Sequence, residues 1–333
     1  MTSVAINAGP RKSVPRRDLS VACSRALSLF LACFCLQASS FVIDHEATIQ
    51  YDLAGMRVPA WSGGALIALV SNQTPAPVIL SFDSQGRQLP SLVMAIPDGD
   101  TVDVSDAARG SDGTLVACGD VYDHSGRGSG FLALFSPAGD KLAVVRLSPY
   151  SPSRITVASD GTIWTAGLEV TNARDSTPPG SGVIRHFDRD GKILGSFIPR
   201  STFSSPFMVQ YGALRSARGR IGWYTGPIRG PGSRFYEILS DGTMRSYPLI
   251  SLESKETVTG LGLTDDGRTY VTTRNIEKGT WGLLSIGGPD QSWTKESPPI
   301  QLGRVWLYGA EGGRLVLHHR DRFTVAFVNV SSN

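Results

Sequence analysis

The sequence predicts an all-β chain folded as a six-bladed β-propeller of four-stranded antiparallel blades. Three observations carry that expectation: a repeat of nearly constant period, a turn written in the same way each time, and a last unit that is one strand short. Turns of the type Ser/Asp-Asp-Gly, or a worn version of it, close short apolar hairpins at Gly64, Gly113, Gly161, Gly219, Gly267 and Gly313. The intervals, by subtraction, are 49, 48, 58, 48 and 46 residues. Strand-built repeats of that period mark blades around a common axis. The 58-residue interval holds loop insertions and no extra pair of hairpins, so six blades are expected rather than seven.

From the amino terminus, the first element is a leader. Arg11, Lys12, Arg16, Arg17 and Arg25 precede or border an uninterrupted apolar run, Ala26 to Leu36, followed by QASSF. A positive segment, a short apolar core and small residues after it describe a secretory signal peptide, residues 1–38, with cleavage at about 38–40. The run is shorter than the roughly 20 residues a membrane-spanning helix needs. Arg16-Arg17 matches a twin-arginine signal poorly, and Phe30-Leu31-Ala32-Cys33 matches a lipoprotein box poorly, so Sec-type export to the periplasm or exterior is expected. The leader also explains the basic pI: without it the chain has 32 − 5 = 27 basic and 29 − 1 = 28 acidic residues. A near-neutral domain of this kind gives no electrostatic footprint for nucleic acid. Of the four cysteines, Cys23, Cys33 and Cys35 fall in the leader, which leaves Cys118 with no disulfide partner and a buried apolar role.

The propeller is expected over residues 41–333, with blades at about 58–98, 101–148, 149–200, 201–250, 251–300 and 301–330. Unit three shows the grammar most plainly: RITVASDGTIWTAG (Arg154 to Gly167), then GVIRHFDRDGKILGSF (Gly182 to Phe197), two Asp-Gly hairpins in sequence. Asp and Gly suit such turns because they tolerate positive φ. The sixth unit reads RVWLYGAEGGRLVLHH and then RFTVAFVNV before the chain stops, so it owns three strands. The β-rich segment Phe41 to Leu53 belongs to no blade and is expected to supply the missing strand, removing two open edges.

Units three and five, SPSRITVASDGTIWTAG (Ser151 to Gly167) and VTGLGLTDDGRTYVTTRN (Val258 to Asn275), resemble NHL-type repeats. The resemblance implies a six-bladed propeller of a broad class that includes extracellular binding proteins and gluconolactonase-like metal enzymes. Those enzymes hold a divalent cation at the axis with a Glu, two Asn and an Asp, and no such set aligns on this chain.

Seven residues after each first-hairpin glycine a strand enters the upper loops, where converging ligands would stand. The residues there are Ser71, Asp120, Leu168, Gly226, Arg274 and Arg320, a poor cation cage for an ion that wants several converging oxygens. Asp188-Arg189-Asp190-Gly191 reads as a hairpin turn rather than a calcium loop. His318-His319 and Asp44-His45-Glu46 lie in strands, where alternation separates neighbouring side chains. Trp164, Trp223 and Trp281 read as packing between sheets, and Trp306 opens the innermost strand of the last unit. No nucleophile elbow, phosphate loop or zinc helix is present. A redox propeller holding a quinone would need converging basic and His residues, which the sequence does not assemble.

The tight turns form one rim, and the long loops, Val121 to Gly130, Glu169 to Gly182, Gly226 to Ser233 and Arg274 to Gly279, form the other. Irregular loops on a rigid scaffold carry function. Asp120, Arg274, Arg320 and Arg322 are therefore the candidate ligand-binding residues, with no catalytic, metal or cofactor residue assigned and no cofactor expected. The leading expectation is an exported, monomeric, non-catalytic propeller that binds an unknown protein or small-molecule ligand on the loop rim, with no nucleic acid and no membrane after cleavage. The alternative is a metal-dependent hydrolase or lyase, lactonase-like, with its site on the axis.

Overall fold

A computed structural model describes residues 39–52, 57–71, 73–74, 76–97, 99–171, 174–226, 234–297, 305–319 and 323–332. The expected leader and the candidates Arg320 and Arg322 lie outside these residues. Among them, six separate sheets form, each built on four strands that run outward in sequence order, except that the outermost strand of the sixth comes from the amino terminus. The innermost strands are Arg57–Ser62, Thr101–Arg109, Tyr150–Val157, Ala213–Ala217, Glu256–Leu263 and Trp306–Glu311. Each packs against the next, and the last packs against the first, so the sheets form a closed ring.

The turn chemistry explains why the hairpins close where they do. In blade 2 the Asp112 carboxylate accepts the Thr114 N–H at 2.9 Å, and Gly113 takes φ +86°. Blade 3 repeats this with Asp160, Thr162 and Gly161 at φ +84°. Aspartate fixes the turn and glycine supplies the left-handed backbone. In blade 6, whose hairpin turns on two residues instead of five, the positive φ falls on Gly312 rather than Gly313.

Burial follows the same plan. Six apolar clusters lie among the described residues, each joining two adjacent blades. One of them joins blade 6 to blade 1 through Trp61, Leu66, Phe82, Tyr308, Val316 and Phe327.

The amino-terminal strand runs Ser39–Thr48 and pairs with Thr324–Ser332 as the outermost strand of blade 6. It begins two residues earlier than expected and ends sooner, with Ile49 buried just beyond it. Ala47 and Ile49 fill the interface of blades 6 and 1, while Phe41 and Ile43 pack on that of blades 5 and 6. His45 stacks on Phe327 at 4.2 Å and its Nε2 meets the Ser84 carbonyl of blade 1 at 3.0 Å. Cys118 is buried in blade 2, and burial pushes its thiol pKa well up.

One strand departs from the repeat. Gln73–Thr74, from the second loop of blade 1, pairs with the inner edge of Thr101–Arg109 and covers that edge at the loop end of the axis.

Candidate functional site at the two ends of the axis

The innermost strands carry a recurring irregularity. In blades 1, 2, 3, 5 and 6 each has one extra residue relative to its hairpin partner, whereas blade 4 is regular. A bulge of this kind bends the strand and re-aims the side chains beside it. The residues that resume pairing are Ala60, Asp106, Arg154, Gly260 and Gly309. At Gly260 a Cβ would stand 2.1 Å from the Leu307 carbonyl oxygen, so only glycine lets blades 5 and 6 approach this closely.

The polar residues among these make a buried charged layer midway along the axis. Asp106 is 1% exposed; its carboxylate accepts the Ala107 N–H at 2.9 Å and, from the next blade, the Ile155 N–H at 3.1 Å. Arg154 donates from Nε to the Gly212 carbonyl at 2.6 Å. Arg215 donates from Nε to the Tyr308 carbonyl of blade 6 at 3.3 Å and from Nη1 to Leu214 at 2.8 Å. Burial pushes the Asp106 carboxyl pKa up, opposed by the two guanidiniums, and burial lowers that of Arg215. The layer was not legible as a site beforehand.

At the loop end, Asp120 stands directly across the hairpin from Asp103. Ser151, at the start of blade 3, donates from Oγ to Asp120 Oδ2 at 2.8 Å. Burial raises the Asp120 pKa, Ser151 holds it down, and Asp103 adds to the rise. The hydroxyl of nearby Tyr122 is also raised, first by burial and then by both carboxylates. On the far side of the ring, Trp306 is 37% exposed and lies 5.9 Å from Trp281, centroid to centroid. Arg274, paired in register with Trp281, sits 5.3 Å above its ring.

At the turn end, a cavity of about 410 Å³ opens on the axis and takes lining residues from all six innermost strands. Its walls include Ser62, Thr156, Ser216 and Glu311, with Arg215 reaching it from the buried layer.

The structure thus places Asp120 and Arg274 at the loop rim, on blades 2 and 5, and among the described residues no hydrogen bond or ion pair links them. Trp164 and Trp223 are core residues, but Trp281 is half-buried and belongs to the rim. The long loops are internally organised. Asp123 accepts the N–H groups of Ser125 and Arg127 at 2.9 and 3.0 Å, and Asn275 accepts those of Glu277 and Lys278 at 3.1 and 3.0 Å. Among the described residues no group of three or more His, Cys, Asp or Glu could hold a metal ion, and no helix is long and apolar enough to cross a membrane.

No family model matches the chain, and no curated protein matches it. In structure the chain is similar to a glucose dehydrogenase, with 11% identity over 87% of this chain and 100% of the other and a TM-score of 0.49. It is also similar to a gluconolactonase from Xanthomonas campestris, with 14% identity over 87% and 99% of the two chains and a TM-score of 0.45. A soluble aldose sugar dehydrogenase from Escherichia coli shows 10% identity, coverage of 89% and 100%, and a TM-score of 0.44. The activities named belong to those proteins; the fold stated here rests on sheet order and strand pairing.

Proposed function

We infer that the protein is a hydrolase or lyase of small hydroxylated molecules, acting at the loop-rim mouth of the axis with Asp120 as its proton-transfer group. One observation carries this reading: two carboxylates stand opposite each other in register, and one of them is desolvated enough to hold its proton above the ordinary carboxylate range. A carboxyl whose environment raises its pKa is suited to general acid or base work beside a second carboxylate. The exposed faces of Trp306 and Trp281 and the guanidinium of Arg274 offer an apolar platform with a polar handle for the rest of the substrate. A metal-dependent version would use Asp103 and Asp120 as two oxygen ligands, with further oxygens from substrate and water. Export, as the leader predicts, would place the substrate outside the cytoplasm.

A binding module without turnover is the competing reading. It is favoured by the Ser151 hydrogen bond, which makes Asp120 a tie between blades 2 and 3 as well as an ionisable group.

Purified protein assayed against panels of esters, lactones and glycosides, with and without chelator, tests the enzyme reading. Turnover should be lost in Asp120→Asn by about a hundredfold or more, in line with loss of a general acid or base, while the melting temperature holds. Ligand binding with no turnover under any metal condition would leave the binding module in its place.

A further inference from the structure

The turn-end cavity differs from the loop-end mouth in the sign of its charge. Two buried arginines of the described chain show what is unusual about it. Arg220 is 7% exposed and fully matched: its Nη1 donates to Glu237 Oε1 at 2.7 Å and to Thr269 Oγ1 at 3.3 Å, and its Nη2 meets the carbonyls of Thr264 and Arg268. Arg215 is 9% exposed and bonded only to backbone carbonyls, through Nε and Nη1. No described residue accepts a hydrogen bond from its Nη2, and no described carboxylate forms an ion pair with it. Asp106 is the acid of that layer, shared between the half-buried Arg154 and the buried Arg215, so two cations face one anion. A buried cation left partly unmatched is costly unless something anionic reaches it.

The cavity is where that something can enter. Arg215 lines it, Arg109 and Arg218 stand at its walls, and the two acids there already have partners. Glu311 accepts the Trp61 Nε1–H at 3.3 Å and meets Arg314 at 3.7 Å, and Asp265 accepts the Arg218 N–H at 3.2 Å. Hydroxyls of the wall are oriented in a chain, with Thr156 Oγ1 donating to Ser216 Oγ at 3.1 Å and Ser216 to the Val157 carbonyl at 2.7 Å. Its volume of about 410 Å³ lies within the usual range of small-molecule sites, roughly 300–1,000 Å³, and exceeds what a bare ion needs.

We propose that this cavity is a second ligand site, on the rim opposite the loop-end mouth, that binds a small molecule through a carboxylate or phosphate group seated on Arg215. A guanidinium with an open edge recognises either oxyanion by paired N–H donors.

The test titrates the folded protein with sodium phosphate and, separately, with sodium citrate, using sodium chloride at matched ionic strength as reference. Calorimetry should show saturable one-to-one binding of at least one oxyanion and none of chloride, and the tighter of the two assigns the head group. Ala217→Phe fills the cavity without deleting a hydrogen bond and should weaken binding at least about tenfold. Arg218→Ala, at the exposed lip, leaves the fold intact and should weaken it by about threefold or more. The proposal is overturned if neither oxyanion binds saturably at millimolar concentration. It is equally overturned if Arg218→Ala and any folded Ala217→Phe bind as the unaltered protein does, which would put the site elsewhere. Neither result bears on turnover at the loop-end mouth.

Discussion

At the loop end of the axis the charged groups stand near water in a like-sign pair, Asp103 and Asp120, with a tryptophan and arginine platform across the ring. At the turn end exposed charges of both signs, Arg218, Asp265 and Glu311, ring the cavity, and the charge without an acidic partner, on Arg215, comes up from a buried layer. The same six innermost strands build both ends. The difference teaches that depth along a strand, more than the identity of the blade, decides what a charge does in this fold. Near the strand start Asp103 keeps partial access to solvent, and three residues on, past the bulge, Asp106 is buried and bonded to the next blade. One carboxylate is left partly accessible at the mouth and the other holds the ring together.

The comparison breaks most completely if the ring opens, because both ends then lose their walls. A chain beginning at Gln50 lacks Ala47 and Ile49 at one blade interface and Phe41 and Ile43 at another. A fully buried large apolar side chain contributes about 1.5–3 kcal/mol. The sum is comparable with a typical net stability of about 5–15 kcal/mol. Such a chain should aggregate or fail to show a cooperative melt by circular dichroism, while one beginning at Ser39 melts normally. Equal melting of the two would mean the ring does not depend on its closing strand.

A smaller effect sharpens the comparison between matched and unmatched buried charge. Arg220→Met leaves Glu237 with the Tyr247 hydroxyl at 2.7 Å and only the more distant Arg245 at 3.6 Å, and should cost about 3–5 kcal/mol, the usual result of removing the close partner of a buried charge. Arg215→Met removes two bonds to carbonyls but also relieves a cation facing Arg154, so its cost should be lower, about 1–3 kcal/mol. Urea denaturation of both variants checks the order. If Arg215→Met costs more than Arg220→Met, the axial layer is better balanced than its hydrogen bonds imply.

Much of this was legible in the sequence, and the reason is local chemistry. Asp-Gly turns act within a few residues, so blade number, hairpin positions and the orphan strand at Phe41 could be read from the chain alone. The axial layer was missed because it depends on the bulges, which are set by contacts between blades. The candidates Asp120, Arg274 and Arg320 lie seven positions after their turn glycines. Asp106 and Arg154 lie seven before theirs, since 113 − 106 and 161 − 154 are both 7. Arg215 lies only four before Gly219, because blade 4 turns on two residues and has no bulge. Asp106 and Arg154 therefore share a fixed offset from the turn, and Arg215 does not.

The smallest expected effect is the one that tests the loop end directly. In Asp120 the folded carboxyl pKa is raised, chiefly by burial. The folded state therefore holds more protons than the unfolded chain between the ordinary value, 3.8, and the raised one, and stability falls as pH rises through that window. Asp120→Asn lacks this fall, so it should gain on the unaltered protein with rising pH, by no more than about 1 kcal/mol for a carboxyl that is only partly buried. Asp123, three residues on, is the opposite case. Its pKa is lowered, first by the Ser125 hydroxyl and then by the Arg127 N–H. Its contribution is present above the ordinary carboxylate value and is lost as pH falls through the depressed one. Asp123→Asn should therefore be less stable than the unaltered protein at neutral pH and converge with it only in strong acid. Melting curves from about pH 3 to about pH 8 should show the two variants drifting in opposite directions. A parallel drift would mean that the hydrogen bond from Ser151 outweighs burial at Asp120, which is then not poised for proton transfer.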